Sequence, residues 1–160
     1  MKNPCLLLIA LLFATAQAAA SVSVDRDVTM TDADGGTLVL ITDGRIDIAS
    51  SESLTTATFT DFSGVSGARS TDGQVRRDRT RGNGALATRY DGSLSFTGVA
   101  EANPARRFEI AFENLVVVRD GSGAELSGRL LVNGDELDAA DLPRAARRLL
   151  ARTLRFFRFA

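Results

Sequence analysis

The side chains of this sequence that are suited to acid–base chemistry are carboxylates. Glu109 and Glu113 lie four residues apart in an alternating apolar and polar segment, which puts both on one face of a strand. At about 3.3 Å per residue they are about 13 Å apart, farther than either glycosidase mechanism requires. The chain also has no tryptophan and one tyrosine, so aromatic platforms for sugars are scarce. We interpret both glutamates as the solvent-facing side of a half-buried strand. We predict that the chain has no catalytic residues and is not an enzyme.

Histidine and cysteine chemistry is excluded by composition. The chain has no histidine, and its one cysteine, Cys5, falls in a predicted signal peptide. Serine–histidine and cysteine–histidine nucleophiles and the usual zinc sites are therefore ruled out for the mature chain. Asp32 and Asp34 resemble the opening of an acidic calcium loop, but Thr37 stands where such a loop has glycine. We predict no metal and no cofactor.

Arginines gather in residues 64–84, which are polar, rich in glycine and almost free of large apolar side chains. This composition predicts an exposed, flexible loop. The arginines in question are Arg69, Arg76, Arg77, Arg79 and Arg81. Asp72 and Asp78 dilute their charge and no aromatic residues interleave with them, so we expect no nucleic acid as a partner. An anionic polysaccharide or lipid headgroup remains the alternative to a plain solvated loop.

A second group of arginines lies in residues 141–160, where the pattern predicts a basic amphipathic helix from about Leu142 to Phe156. Asp141 is placed to cap this helix, and Pro143 is tolerated in its first turn. Leucines, Phe156 and Phe157 gather on one side at helical spacing. The opposite side carries Arg144, Arg147, Arg148, Arg152, Arg155 and Arg158.

This helix has three possible roles. Its apolar side could cover one face or end of the rest of the domain, with the arginines in water; this is the interpretation we favour. It could instead lie on an anionic membrane, with the six arginines attracted to lipid and Phe156 and Phe157 inserted. It could also dock into a groove on a partner protein.

The remaining sequence predicts an antiparallel β domain. Asp-Gly and Asn-Gly pairs recur and favour tight hairpin turns. Between them lie short segments rich in Val, Ile, Thr, Leu and Phe. The predicted strands are 21–30, 37–42, 45–49, 54–62, 85–90, 93–99, 107–119 and 125–132. Such spacing is typical of an all-β domain, so we predict a single domain, either a curved meander or a two-layer sandwich, with one C-terminal amphipathic α-helix.

The segment 107–132 gives the most detailed local prediction. Phe108, Ile110 and Phe112 share one face, but after Asn114 the apolar residues change parity. This change predicts a bulge or bend at Asn114, which a strand shared between two layers would also explain. Gly128 marks a predicted close approach or kink in the next strand. Residues 120–123 are the predicted hairpin loop between the two strands.

The first 18 residues are predicted to be a cleavable signal peptide. Lys2 precedes the apolar run Leu6–Ala14, and small residues then allow cleavage after Ala18 or Ala20. The apolar run is too short for a spanning helix, which needs about 20 residues. The predicted organisation is therefore a signal peptide (1–18), a β domain (19–140) and a basic helix (141–160). A mature chain without cysteine is ordinary in a bacterial periplasm, so we expect export to the periplasm or beyond it.

Charge is unevenly distributed between these parts. Loss of Lys2 changes the net charge from −1 to −2; the segment after residue 141 contributes +6 and the rest of the mature chain −8. Such a split concerns association rather than fold. The leading functional hypothesis is a non-enzymatic cell-envelope protein that binds or scaffolds, with an anionic membrane surface or an apolar ligand as the candidate partner. The alternatives are a lipid- or membrane-binding protein that uses the basic helix, a carboxylate-based hydrolase, and a structural subunit assembled through strand edges.

Overall fold

A computed structural model describes residues 21–63, 65, 68–98 and 107–159. Within them the chain forms β1 (Val22–Thr31), β2 (Thr37–Ile46), β3 (Ser51–Thr60), β4 (Ser70–Gly82), β5 (Ala85–Thr97), β6 (Arg107–Asp120), β7 (Gly123–Val132) and β8 (Asp135–Asp138). A short 3-10 helix (Ala139–Asp141) follows, then α1 (Arg144–Thr153) and a second 3-10 helix (Leu154–Phe159). We call residues 144–159 the C-terminal helical segment.

The strands form one antiparallel sheet in the order in which they occur along the chain, β1 to β8. This confirms the mainly β fold with one C-terminal α-helix, and of the two predicted architectures it is the meander. Side chains that pair across the strands share a face, as in the row Leu40, Ala57 and Val75. All three are fully buried. We call this side of the sheet the covered face and the other side the open face.

Four of the predicted turn pairs lie at hairpins. Asn83 and Gly84 connect β4 to β5 with φ values of +51° and +77°, and Asn133 and Gly134 connect β7 to β8 with similar values. Two successive residues with positive φ fit tight hairpin turns, which is why asparagine and glycine stand here. The pair at 34–35 also lies between strands, and the pair at 120–121 lies where β6 ends and the turn to β7 begins.

Three Asp-Gly pairs lie inside strands instead, so the turns predicted there are wrong. The pair at 43–44 lies in β2, the pair at 72–73 in β4 and the pair at 91–92 in β5. Strand β2 therefore runs from the predicted strand 37–42 into 45–49, and β5 runs from 85–90 into 93–99. Gly73 lies close against β5, and Gly92 lies close against β4. A Cβ atom at either position would overlap a backbone carbonyl oxygen of the neighbouring strand. Glycine here permits close approach rather than a turn.

The prediction of a flexible loop over 64–84 is wrong for residues 70–82, which form the 13-residue strand β4. The error has a physical cause. The covered-face positions of β4 are Thr71, Gly73, Val75, Arg77, Arg79 and Arg81, as their pairings across β3 and β5 show. Only one of them is a large apolar residue, so the alternation that identifies a strand is hidden.

The bulge predicted at Asn114 is confirmed. The register between β6 and β7 shifts between Glu113 and Val116, and Asn114 has φ +51°. Its N–H donates to Asp91 Oδ1 at 2.8 Å, which holds the extra residue in place. Gly128 lies opposite with φ +96°, and a Cβ there would overlap the carbonyl oxygen of Asn114. The predicted close approach at Gly128 is therefore also confirmed.

The C-terminal helical segment packs on the covered face and completes the core. Phe156 meets Phe59 of β3 edge to face, with ring centroids 4.7 Å apart, and Leu150 and Phe157 are also buried. Of the three roles considered, the structure therefore shows the first, a helix that covers the sheet.

The bounds and the capping of the helix differ from prediction. The α-helix spans Arg144–Thr153 and tightens into a 3-10 helix from Leu154. The prediction that Asp141 caps it is wrong, because Pro143 occupies the cap position without a side-chain bond. Asp141 instead ends the preceding 3-10 helix, which Asp138 caps by accepting a bond from the N–H of Ala140 at 2.8 Å.

The predicted signal peptide, residues 1–18, and both of its cleavage positions lie outside the described residues. Among the residues that the structure describes, no helix is long and apolar enough to cross a membrane.

Candidate functional site: a basic groove under the C-terminal helical segment

Arg77 joins the sheet to the C-terminal helical segment. Its Nη1 donates to the carbonyl oxygen of Phe157 at 2.9 Å and its Nη2 to Thr55 Oγ1 at 3.0 Å. The guanidinium also lies 4.8 Å from the centre of the Phe157 ring, within reach of a cation–π contact. Thr55 in turn shares a buried hydrogen bond with Thr42 at 3.1 Å. This side chain therefore fixes the end of the helical segment over β3 and β4.

A groove with a volume of about 430 Å³ runs between the helical segment and strands β4 to β7. Its apolar lining is formed by Tyr90, Val117, Leu126, Leu150, Leu154 and Phe157. Arginines from both the sheet and the helical segment also line it, namely Arg77, Arg119, Arg147, Arg155 and Arg158. We call this the main chamber. Its volume lies within the range of about 300–1,000 Å³ that small-molecule pockets have.

A smaller pocket of about 160 Å³ adjoins the main chamber on the covered face. The two share Arg77, Tyr90, Val117 and Arg119 as lining residues. Arg79, Leu86 and Thr88 complete the smaller pocket, which we call the arginine pocket.

The register of the sheet explains why the arginine pocket forms. On the covered face, Arg79 lies directly opposite Thr88, and Thr88 opposite Val117. Arg77 lies one row along on β4, opposite Tyr90. With neighbouring strands about 4.8 Å apart, side chains as long as arginine converge over the threonine and tyrosine between them.

The electrostatics of the groove are one-sided. Six arginines line the two pockets, against one acid, Glu125, which lines only the main chamber. Burial lowers the pKa of Arg77; Tyr90 opposes this shift and Arg79 adds to it. Burial also raises the pKa of Tyr90, although Arg77, Arg119 and Arg79 each act to lower it. Since arginine keeps its proton at physiological pH, the groove concentrates positive charge beside an apolar surface.

One donor of Arg77 is left without a partner. Its Nε is buried and makes no hydrogen bond to any atom that the structure describes. None of the ion pairs seen among the described residues involves Arg77, Arg79 or Arg119. A half-buried cation without an ion-pair partner carries a desolvation cost, and an anion in the groove would offset part of that cost.

The six arginines predicted as contact residues divide into two sets. Arg147, Arg155 and Arg158 line the main chamber, and Arg147 also donates to the carbonyl oxygens of Leu142 and Ala140 at 2.8 and 2.7 Å. The other three, Arg144, Arg148 and Arg152, are exposed and do not line the groove. Leu149, which is 50% exposed, lies among them on the helix.

Phe156 and Phe157, the two aromatic residues of the predicted contact, are 6% and 3% exposed. Their rings lie 4.5 Å apart, and Phe157 also faces Tyr90 at 5.7 Å. While the segment is docked, neither ring is available to a membrane, although Phe157 does form part of the groove wall.

The carboxylates considered from the sequence do not form a centre. Glu109 and Glu113 are exposed on the open face, and Glu113 forms an ion pair with Arg129 at 2.9 Å. Asp32 accepts bonds from the N–H groups of Asp34, Gly36 and Ser63, so it organises turns. In the part of the chain that the structure describes, no three acidic, histidine or cysteine residues are placed to hold a metal ion.

On the sheet side of the site, the sequence analysis placed Arg77 and Arg79 in a solvated loop, with an anionic polysaccharide or lipid headgroup as the alternative, and did not propose Tyr90 or Arg119. A signal was present, because Val75, Arg77 and Arg79 alternate and must share a face if the segment is a strand. The loop-like composition of residues 64–84 hides this alternation.

The fold and the groove define a β-meander protein with a basic, partly apolar groove. Comparison of the chain with protein-family models, with curated proteins and with solved structures found no match in any of the three. The groove is therefore the feature of this molecule that bears on its function.

Proposed function

We propose that this protein is a non-enzymatic binding protein of the cell envelope, and that it holds an anionic amphiphilic ligand in the groove under the C-terminal helical segment. The observation that carries the proposal is the pairing of an apolar lining with arginines in one groove of about 430 Å³. An apolar chain gains from burial against Leu126, Leu150 and Leu154. An anionic group gains from the arginines beside them.

The uneven charge of the chain supports the same proposal. The body of the mature chain is acidic overall and the C-terminal helical segment is basic. These opposite charges do not simply neutralise each other where the two parts meet, since six arginines line the groove and only Glu125 opposes them. The remaining positive charge favours an anionic ligand.

The expected location is part of the proposal. The sequence pattern of the first 18 residues predicts export, with cleavage after Ala18 or Ala20, and the mature chain has no cysteine. An exported bacterial protein meets anionic amphiphiles in the periplasm and at the membrane surfaces that bound it.

A groove-filling variant tests the proposal. Ala151 is exposed on α1 and lines the main chamber, so Ala151→Trp should fill the chamber without replacing any buried side chain. The mature protein, residues 19–160, should bind dodecyl phosphate, and A151W should bind it at least about tenfold more weakly. Isothermal titration calorimetry below the critical micelle concentration measures both affinities.

The matched control is Ala145→Trp, the same substitution at an exposed position of α1 that does not line the chamber. A145W should bind as the wild type does. Equal weakening by both substitutions, or no binding of any amphiphile by the wild type, would refute a ligand site in the groove.

A second candidate function is contact with an anionic membrane surface. The exposed arginines Arg144, Arg148 and Arg152 favour it, together with the half-exposed Leu149 between them. It predicts salt-sensitive sedimentation with phosphatidylglycerol vesicles, which R144Q/R148Q/R152Q should abolish while leaving the groove affinity unchanged. Sedimentation that survives the triple substitution would exclude this face of the helix.

A further inference from the structure

The two pockets differ in character, and the difference indicates which end of a ligand each one holds. The main chamber is lined by leucine and phenylalanine side chains of the helical segment. The arginine pocket lies on the sheet beyond them, and its lining contains three arginines, a threonine and a tyrosine but no acidic residue. The shared residues Arg77 and Tyr90 mark the boundary between them.

We propose that the arginine pocket binds the phosphate head group of a single-chain amphiphile whose chain lies in the main chamber. This inference rests on the proposed function and adds the ligand class to it. The main chamber is near the lower end of the volume range of small-molecule pockets, so it suits one chain rather than several.

The number of donors favours phosphate over carboxylate. A carboxylate offers two oxygens, and one arginine can already bind both of them side by side. Arg77, Arg79 and Arg119 converge on one pocket from β4 and β6, and Thr88 adds a hydroxyl from β5 between them. A terminal phosphate has three oxygens and up to two negative charges, so it can engage several arginines at once.

Arg77 is already oriented for this role. Two of its donors hold Phe157 and Thr55, so its guanidinium is fixed before any ligand arrives. Its Nε has no partner among the described atoms. A fixed cation loses little side-chain entropy on binding, which strengthens the contact with an anion.

Arg79 and Arg119 are the residues through which to test the head-group contact, because both are exposed and neither supports the core. The experiment compares dodecyl phosphate, dodecanoate and dodecyl maltoside, all below their critical micelle concentrations, with inorganic phosphate as a fourth ligand. The chain is the same length in the three amphiphiles, so differences in affinity report the head group.

Dodecyl phosphate should bind the wild type at least about tenfold more tightly than dodecanoate, and dodecyl maltoside should bind most weakly. Arg79→Gln and Arg119→Gln should each weaken dodecyl phosphate by about tenfold and leave dodecyl maltoside unchanged. The control is Arg89→Gln, because Arg89 is an exposed arginine that lies opposite Asp78 in the strand register, on the open face. This substitution should change neither affinity.

The possible failures are distinguishable. Equal affinity for phosphate and carboxylate, or R79Q and R119Q variants that bind as R89Q does, would overturn the head-group assignment and leave the main chamber intact. Binding of inorganic phosphate as tight as that of dodecyl phosphate would show a site for free phosphate and overturn the amphiphile. Failure of all four ligands would overturn the proposed function with it.

Discussion

Replacement of Arg77 by methionine tests whether this side chain anchors the C-terminal helical segment. Methionine keeps much of the length of arginine but removes the donors to Phe157 and Thr55 and the cation over the Phe157 ring. Thr55 keeps its partner Thr42, whereas the carbonyl oxygen of Phe157 loses a charged donor.

The magnitude follows from these contacts. A hydrogen bond from a charged donor contributes about 1.5–3 kcal/mol, and a cation–π contact contributes about 1 kcal/mol. Removal of a partly buried charge offsets some of this loss. We therefore expect R77M to lower the free energy of unfolding by about 2–3 kcal/mol. For a chain of this size the Tm should fall by about 6–12 °C.

Urea unfolding followed by circular dichroism measures the change, and the dependence on urea concentration should keep its slope. Arg79→Met is the matched control, since Arg79 is the next covered-face residue of β4 but is exposed. It should shift the unfolding free energy by no more than about 0.5 kcal/mol. If R77M and R79M have the same small effect, the contacts of Arg77 do not hold the helical segment to the sheet.

Three further predictions concern the fold. Phe156→Ala removes an edge-to-face contact with Phe59 and should cost about 3–5 kcal/mol in urea unfolding; a loss below about 1 kcal/mol would mean that the segment does not pack there. Gly128→Ala should cost more than about 2 kcal/mol, because residue 128 has φ +96° and faces the carbonyl oxygen of Asn114. Gly121→Ala, at an open site, should have little effect, and equal costs at the two positions would contradict the close approach. Hydrogen bonds from the backbone and side chain of Ser63, then from Gly36 and Asp34, lower the pKa of Asp32 below 3.8. The contribution of ionised Asp32 to stability is therefore present above pH 3.8 and lost as the pH falls through and below that value. Asp32→Asn should flatten the acid side of the Tm–pH profile. An unchanged profile between pH 7 and 2 would refute the role of Asp32.

The strands with clear alternation were predictable from the sequence, and those without it were not. The segment 107–132 carries Phe108, Ile110 and Phe112 on one face, and its strands and its bulge at Asn114 were all predicted. Strand β4 was missed because glycine, threonine and arginine occupy covered-face positions where apolar residues are usual. Strand β8 was also missed, since its four residues are exposed and only Leu137 is apolar. Asp-Gly pairs misled in the same way, because glycine serves both turns and close approach.

The helical half of the candidate site was predictable, and the sheet half was not. Amphipathic spacing identifies the arginines of the C-terminal segment whatever they contact. It cannot separate those that line the groove, such as Arg155, from those on the outer face, such as Arg148, because that depends on how the helix lies on the sheet. Arg119 lines the groove because of the register between β5 and β6. No local pattern in the sequence predicts that register.

The order of the elements along the chain has a consequence for biogenesis. Each strand pairs with its neighbour in sequence, so each hairpin can form as soon as its two strands leave the ribosome. The helical segment that shields the apolar residues of the sheet is made after all eight strands. A product that stops before Arg144 would keep every strand partner yet present bare leucine and phenylalanine to chaperones and proteases. The helical segment therefore separates a chain whose sheet is covered from one whose apolar residues remain exposed.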